Sequence, residues 1–400
     1  MKKILFVINT LGGAGAETAL VELLNSLDKT KYDISLYVLM GQGELVDRIP
    51  EHVCLLNRKF SSSSVLSREG RRNMIGAVLK AFWRNGHMAG KTAYVFRTLF
   101  EMRRNGNVQP DKILWRVMAE GGERFSDHYD LAVAYLEGGA AYYVADEVSA
   151  KRKAAFIHID YESSGYTKKM DRDCYEKMDR IFTVSDEVRD HFLHVYPEYA
   201  DKTKVFHNII NQERIRQEAL KEGGFPDSGD EIKILTVGRL TYQKAYDIAI
   251  EALNIVKKAG YHAKWYVLGE GDQRAALEKK IAQFGLEEDF LLAGAERNPF
   301  PWYKKTDLYV HATRFEGKSI AIQEAQTLGC AIIASDCNGN REQIVPDVDG
   351  MLCELTPQGI AECIIELIEN LEKRKRLSRE VKKKQIVHRE EMKQLLELAE

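Results

Sequence analysis

Short apolar runs alternate along the chain with longer segments in which apolar positions recur at helical spacing. The first run, KKILFVI, ends at Asn9-Thr10, and LGGAGAE and an amphipathic stretch over 18–27 follow it. This order predicts strand, glycine loop and helix, and a second strand over 33–40 completes a βαβ unit and implies a parallel sheet. Further strands are predicted over 129–136, 152–159, 180–185 and 204–207. The stretch 222–230, with Gly223, Gly224, Pro226 and Gly229, has the composition of a linker. The pattern then restarts, with strands over 232–237, 265–268, 290–292, 308–311 and 331–335 and helices over 247–258 and 319–328. Helices from 357 onward and a charged helical tail over 370–400 follow. The fold class predicted is α/β with two parallel-sheet domains, 1–208 and 209–385, and a terminal segment 386–400 expected to pack back on the first.

Composition narrows the function classes. A chain of 400 residues exceeds one ordinary core, in line with two domains. An apolar fraction of 44%, a charged fraction of 30% and a net charge of −2 describe a folded chain without a global nucleic-acid signature. No apolar run is long enough to span a bilayer, and the run over 4–8 is too short for a signal-peptide core. The six cysteines form no CxxC pair and no zinc spacing, so they are expected to be reduced, mostly buried thiols in the cytosol, with no metal site.

Residues 58–116 depart from this balance, with thirteen basic residues against three acidic ones. Val78, Leu79, Phe82, Trp83, Tyr94, Val95, Phe96, Leu99, Phe100 and Met102 are interleaved among them. A basic, aromatic-rich amphipathic insertion suits an anionic membrane surface, or is a solvated basic face around an ordinary core. No nucleic-acid recognition motif accompanies the charge.

Candidate chemistry lies where predicted strands end. Gly12, Gly13 and Gly15 let the backbone approach a ligand after the first strand. Thr18 stands where a dinucleotide fingerprint needs its third glycine, and the second strand ends in Leu39-Met40 without a ribose-binding acid, so nicotinamide binding is disfavoured. Glu137, His158 and Asp160 stand at two later strand ends, where His158 is either a core histidine or a site residue. Arg239, Gln243 and Lys244 lie between a strand and a helix start, a combination of cations and free N–H groups that suits a diphosphate. Gly269 and Gly271 allow another close approach. The segment RFEGKSIAIQEAQTLG holds Glu316 in a turn and Glu324 on a helix expected to start at Ser319 and end before Gly329. Residues eight apart on one helix would sit about 80° out of register, so the two acids are expected to touch different parts of one ligand.

In this order and spacing, Gly238-Arg239-Leu240-x-x-Gln243-Lys244-x-x-Asp247, Leu268-Gly269-Glu270-Gly271, Glu316-x7-Glu324 and Asp349-Gly350 resemble glycosyltransferase family 4. The glycine loop, Tyr135-Leu136-Glu137-Gly138 and Phe156-Ile157-His158 are similar to its bacterial surface-polysaccharide branch. The resemblance implies the GT-B fold, two Rossmann-like domains facing a cleft, the first on the acceptor side and the second binding donor. It implies a retaining, metal-independent hexosyltransferase using a nucleotide sugar, expected to be a UDP-sugar, without a cofactor. It further implies Arg239 and Lys244 at the diphosphate, and Glu316, with backbone amides of Gly317, Lys318, Ser319 and Ile320, at the sugar. Glu324 falls at the ribose, Gly12, Gly13 and Gly15 at the phosphates, and His158 at the reacting centre, while Glu137 and Asp160 fall on the acceptor side. The expected acceptor is a lipid-linked or cell-envelope glycan, met by a cytoplasmic protein held peripherally at the inner face of the plasma membrane. Alternatives are a soluble acceptor, or a non-catalytic nucleotide-sugar binding protein.

Overall fold

The computed structural model describes the chain except residues 14, 65–66, 85, 87, 105–109, 163, 227–228, 317 and 385–388. Two compact units emerge, Met1–Ile209 with His388–Glu400, and Ile210–Val387.

The first unit runs β1 (Lys2–Ile8), α1 (Gly15–Ser26), β2 (Tyr32–Val38), β3 (Val53–Leu55), α2 (Arg68–Trp83), α3 (Met88–Arg104), α4 (Pro110–Glu120), β4 (Tyr129–Ala134), α5 (Gly139–Glu147), β5 (Ala150–Ile157), α6 (Lys168–Asp171), β6 (Arg180–Thr183), α7 (Asp186–Val195) and β7 (Thr203–Val205). Its seven strands are all parallel, in the order β3-β2-β1-β4-β5-β6-β7. The order reverses between β1 and β4, so the ends of those strands frame a crevice. Ile4 to Ile8 are fully buried, as a strand covered on both faces requires.

Segment 58–116 folds mainly as α2, α3 and α4, with α2 and α3 packed on α4 and α4 on α5. Ala81, Met102, Ile113 and Val117 are buried, and Val78, Phe82, Tyr94, Val95 and Leu99 pack against them. Ile75, Leu79, Trp83, Phe96 and Phe100 instead face solvent, the aromatic three at 69–70% exposure. Behind α4, the buried Asp171 accepts hydrogen bonds from the hydroxyls of Tyr142 (2.6 Å), Tyr161 (2.7 Å) and Tyr196 (2.5 Å). The Arg116 guanidinium lies 3.9 Å from the centre of the Tyr142 ring and bonds to Asp146 at 2.7 Å. This network ties the loop after β5 to α4 and α5, because buried polar groups must find partners.

The second unit runs α8 (Gln212–Glu218), β8 (Ile232–Val237), α9 (Tyr246–Lys258), β9 (Ala263–Leu268), α10 (Arg274–Phe284), β10 (Phe290–Gly294), α11 (Phe300–Lys305), β11 (Leu308–His311), α12 (Ile320–Leu328), β12 (Ile332–Ser335), α13 (Asn338–Arg341), β13 (Met351–Cys353), α14 (Pro357–Glu369) and α15 (Leu371–Lys383). Its parallel sheet is ordered β10-β9-β8-β11-β12-β13, and its switch point lies between β8 and β11. A last helix, α16 (Arg389–Leu396), belongs with the first unit. The charged helical tail over 370–400 consists of two helices, α15 and α16, in different units; His207 Nδ1 meets Glu391 Oε1 at 2.9 Å, and Lys2 Nζ donates to the Glu400 carbonyl at 2.8 Å.

Candidate active site

In the second unit the motif residues converge because β8 and β11 are neighbours. The loop after β8 carries Arg239 to Lys244, and the loop after β11 carries Ala312 to Glu316. The two are laced together. Arg314 N–H and Thr313 Oγ1 donate to the Gln243 carbonyl at 2.8 and 3.1 Å, and Gln243 Nε2 donates to the Phe315 carbonyl at 2.8 Å. Arg314 forks onto Asp247 at 3.0 and 2.7 Å and lies 3.9 Å from the centre of the Tyr242 ring. The short turn Tyr242–Lys244 closes at Ala245, which has a left-handed conformation, φ +48°, and α9 begins at the next residue. An L-residue there costs about 1 kcal/mol, so the lacing must hold it.

The lacing brings Lys244 Nζ onto Glu316 Oε2, with both side chains 15% exposed. The same oxygen meets Nε2 of His311, itself 1% exposed, at 3.2 Å. Burial alone would raise the Glu316 carboxyl, but Lys244 and His311 outweigh it and hold it at about 2. Glu316 is therefore ionised, and it precedes α12 instead of lying on it. Glu324, on α12, accepts from Tyr303 Oη at 3.0 Å. Arg239 is exposed and makes no ion pair among the described residues, which leaves its guanidinium open to an anion. Ser319 stands at the N-cap of α12 as expected, but its side chain makes no capping bond; Gly329 ends the helix in the left-handed conformation, φ +74°. Ser319 and Ile320 are buried, Lys318 is partly exposed, and Gly317 lies outside the described residues.

Gly269 and Gly271 have a packing reason. A Cβ at Gly269 would lie 2.0 Å from the Gly238 carbonyl oxygen, and one at Gly271 would lie 2.2 Å from that of Leu240. The two glycines let the turn after β9 press against the Arg239 loop, which explains them without requiring a ligand contact.

In the first unit Gly12 and Gly13 follow β1, and Gly15 opens α1. The Gly13 N–H donates to Glu44 Oε1 at 3.2 Å, so a carboxylate stands where a phosphate oxygen was expected. Glu44 had no signal in the sequence, being one of two acids in the short turn Glu44–Arg48 after β2. Glu137, after β4, is 5% exposed; its Oε2 accepts the His158 backbone N–H at 3.0 Å, and burial raises its carboxyl. Asn9 braces the same corner, donating to the Glu137 carbonyl at 3.2 Å and accepting the Ala140 N–H at 2.7 Å. The imidazole of His158 packs against Tyr135 with ring centres 5.1 Å apart. Burial drives its pKa down to about 3, opposed by a backbone hydrogen bond to Tyr135, and its Nε2 is sealed from solvent without a protein partner among the described residues. A neutral, desolvated imidazole with a free nitrogen suits contact with a ligand hydroxyl. Asp160 pairs with His191 Nδ1 at 2.9 Å, and Asp160, Glu162 and His191 offer ligand atoms within 4.8 Å of one another, a set able to hold a divalent cation.

Sequence reasoning missed His311, Tyr303 and Glu44. For His311 the available signal was a histidine ending an apolar strand five residues before Glu316.

Residues 218–384 match the family described as glycosyl transferases group 1. An N-acetylgalactosamine-N,N'-diacetylbacillosaminyl-diphospho-undecaprenol 4-alpha-N-acetylgalactosaminyltransferase of Campylobacter jejuni is 31% identical over 182 residues, 45% of this chain and 48% of that protein. An uncharacterised glycosyltransferase of Methanocaldococcus jannaschii is 26% identical over 179 residues, 44% of each chain. The chain thus spans less than half the length of these curated relatives. A solved glycosyltransferase from Rickettsia africae superposes with a TM-score of 0.65 at 15% identity, covering 100% of this chain and 98% of that one. Anabaena HepE in complex with UDP-glucose gives 0.65 at 16%, with the same coverage. The match to glycosyl transferases group 1 thus falls on the second unit, over residues 218–384, and the fold of the whole chain is GT-B.

Proposed function

We propose that this protein is a retaining glycosyltransferase that moves a sugar from a nucleoside-diphosphate sugar, of the UDP-sugar class, to a lipid-linked or cell-envelope glycan. The observation that carries the reading is the Lys244–Glu316–His311 constellation at the switch point of the second sheet, with Arg239 exposed on the same loop as Lys244 and Glu324 on the helix that follows. Arg239 and Lys244 neutralise the diphosphate as it leaves, and Glu316 holds sugar hydroxyls as an acceptor. Glu324, through its carboxylate, takes the ribose hydroxyls.

The bond from the anomeric carbon to the phosphate oxygen breaks as the acceptor hydroxyl oxygen attacks the same face. The hydroxyl proton passes to the departing phosphate oxygen, so no enzyme nucleophile and no metal enter the step. His158, neutral and with no partner for Nε2 among the described residues, contacts the sugar, and Glu137 and Asp160 serve the acceptor side. UDP-glucose in the HepE complex and the diphospho-undecaprenol named for the Campylobacter relative support the donor and acceptor classes.

The exposed stripes of α2 and α3 support a peripheral seat on an anionic membrane at its cytoplasmic face. No described helix is long and apolar enough to cross one. Ile75, Leu79 and Trp83 stand four residues apart on α2, and Phe96 and Phe100 do so on α3, among exposed Arg71, Arg72, Lys80, Arg97 and Arg103. Each such apolar side chain contributes roughly 1.5–3 kcal/mol when fully buried, and each cation near an anionic surface about 1 kcal/mol. The deciding experiment is turnover of a UDP-sugar panel with a polyprenyl-diphosphate glycan acceptor. Activity lost in Glu316→Ala and Lys244→Ala supports the reading; full activity in Glu316→Ala overturns it. Turnover with a soluble acceptor alone would favour the soluble-acceptor alternative.

A further inference from the structure

Glu316 and Glu324 are linked inside the second unit by a run of buried polar side chains, held by hydrogen bonds at each end and a ring contact between two tyrosines. Tyr309 and His311, two apart on β11, point to the same side of the sheet, and Tyr309 Oη lies 3.2 Å from His311 Nδ1. His311 Nε2 reaches Glu316 Oε2. Tyr309 packs on Tyr303 of α11 with ring centres 5.1 Å apart. Tyr303 in turn donates to Glu324.

The proton positions follow from chemistry. An ionised Glu316 only accepts, so His311 Nε2 carries a proton. Burial, reinforced by the nearby Lys244 ammonium, keeps the imidazole neutral, so Nδ1 is an acceptor and Tyr309 Oη donates to it. Lys244 and His311 both bond Oε2, and Oε1 has no side-chain partner among the described residues. Lys244 therefore serves two anions in the proposed reaction, Glu316 now and a diphosphate when donor enters.

We propose that His311 is a positioning residue that keeps Glu316 in place, Oε1 toward the sugar, when Lys244 turns to the donor diphosphate, with Tyr309 fixing the imidazole. This rests on the donor-site reading above. A group with this role matters for the sugar-dependent step and not for holding the nucleotide.

The test compares His311→Ala, His311→Gln and Tyr309→Phe with wild type by calorimetry with UDP, by kcat and KM with the UDP-sugar that wild type turns over, and by the pH dependence of kcat. The expected result for His311→Ala is a kcat lowered roughly 10- to 100-fold, the usual cost of losing an orienting partner, with UDP affinity unchanged within error. Gln, whose amide N–H also donates, recovers much of the loss, and Tyr309→Phe gives a smaller one. The acid limb of kcat moves to higher pH in His311→Ala, because the lost bond had lowered the Glu316 carboxyl. Unchanged kcat in a folded His311→Ala overturns the proposal, as does a UDP affinity that falls in step with kcat. A wild type that neither binds UDP nor turns over any UDP-sugar overturns the donor-site reading itself, and this proposal with it.

Discussion

Arg314 and Asp247 clasp each other across the two loops of the second unit's switch point, NH1 to Oδ1 at 3.0 Å and NH2 to Oδ2 at 2.7 Å. Arg314 stands two residues before Glu316, and Asp247 lies in the first turn of α9, three residues after Lys244. The fork therefore sets the spacing between the proposed sugar acid and the proposed diphosphate cation. A planar guanidinium does this where an ammonium does not.

Arg314→Lys is expected to lower thermal stability by no more than about 1 kcal/mol, since Asp247 is partly solvated and screened. Donor turnover should fall further than that loss accounts for. Thermal unfolding and steady-state kinetics on one preparation check both, and parallel small losses would dismiss the clasp as ordinary surface structure.

Glu316 remains a carboxylate through the whole working pH range, because Lys244 and His311 overcome the effect of burial and hold it at about 2. A lowered carboxyl adds stability above its unfolded value near 4.5, and loses it as pH falls toward 2. Lys244→Met removes the main opposing charge and is expected to raise the Glu316 carboxyl. Carbon-13 NMR titration of the glutamate carboxyls, with Glu316→Gln to assign the resonance, measures it. An unmoved Glu316 would mean that the pair does not persist in solution.

His158 is expected to stay neutral down to about pH 3, since burial lowers its pKa. A histidine that prefers to be neutral when folded gives stability that is complete above its ordinary value near 6.5 and is lost between there and about 3. Urea unfolding at pH 7.5 and pH 5 should accordingly show a smaller drop for His158→Gln than for wild type. Equal drops would contradict the desolvated, neutral imidazole.

The exposed stripes on α2 and α3 predict co-sedimentation with vesicles containing anionic phosphatidylglycerol, weakened by salt. Leu79→Ser with Trp83→Ser should reduce binding at every salt concentration, whereas Arg71→Glu with Arg72→Glu should also flatten its salt dependence. Wild type that binds neutral and anionic vesicles equally poorly would leave these helices as a solvated face.

Much of the architecture was readable from the chain because its causes are local. Apolar strands buried on both faces, such as Ile4 to Ile8, appear as continuous runs, and helices such as Tyr246–Lys258 appear as amphipathic periods. The order and spacing of Arg239, Lys244, Glu316 and Glu324 were likewise legible as a motif. Adjacency was not. Lys244 and Glu316 stand 72 positions apart and meet because β11 inserts beside β8, a pairing settled by the sheet as a whole. In the same way His311 acquires a partner only once the loop after β11 folds back over it. The apolar residues of 58–116 look equivalent in sequence, and packing against α4 and neighbouring elements divides those that enter the core from those left facing water. Composition and period determine which segments become strands and helices. Burial and long-range pairing decide which side chains share a site, because the free energy of those contacts exists only when distant segments are brought together.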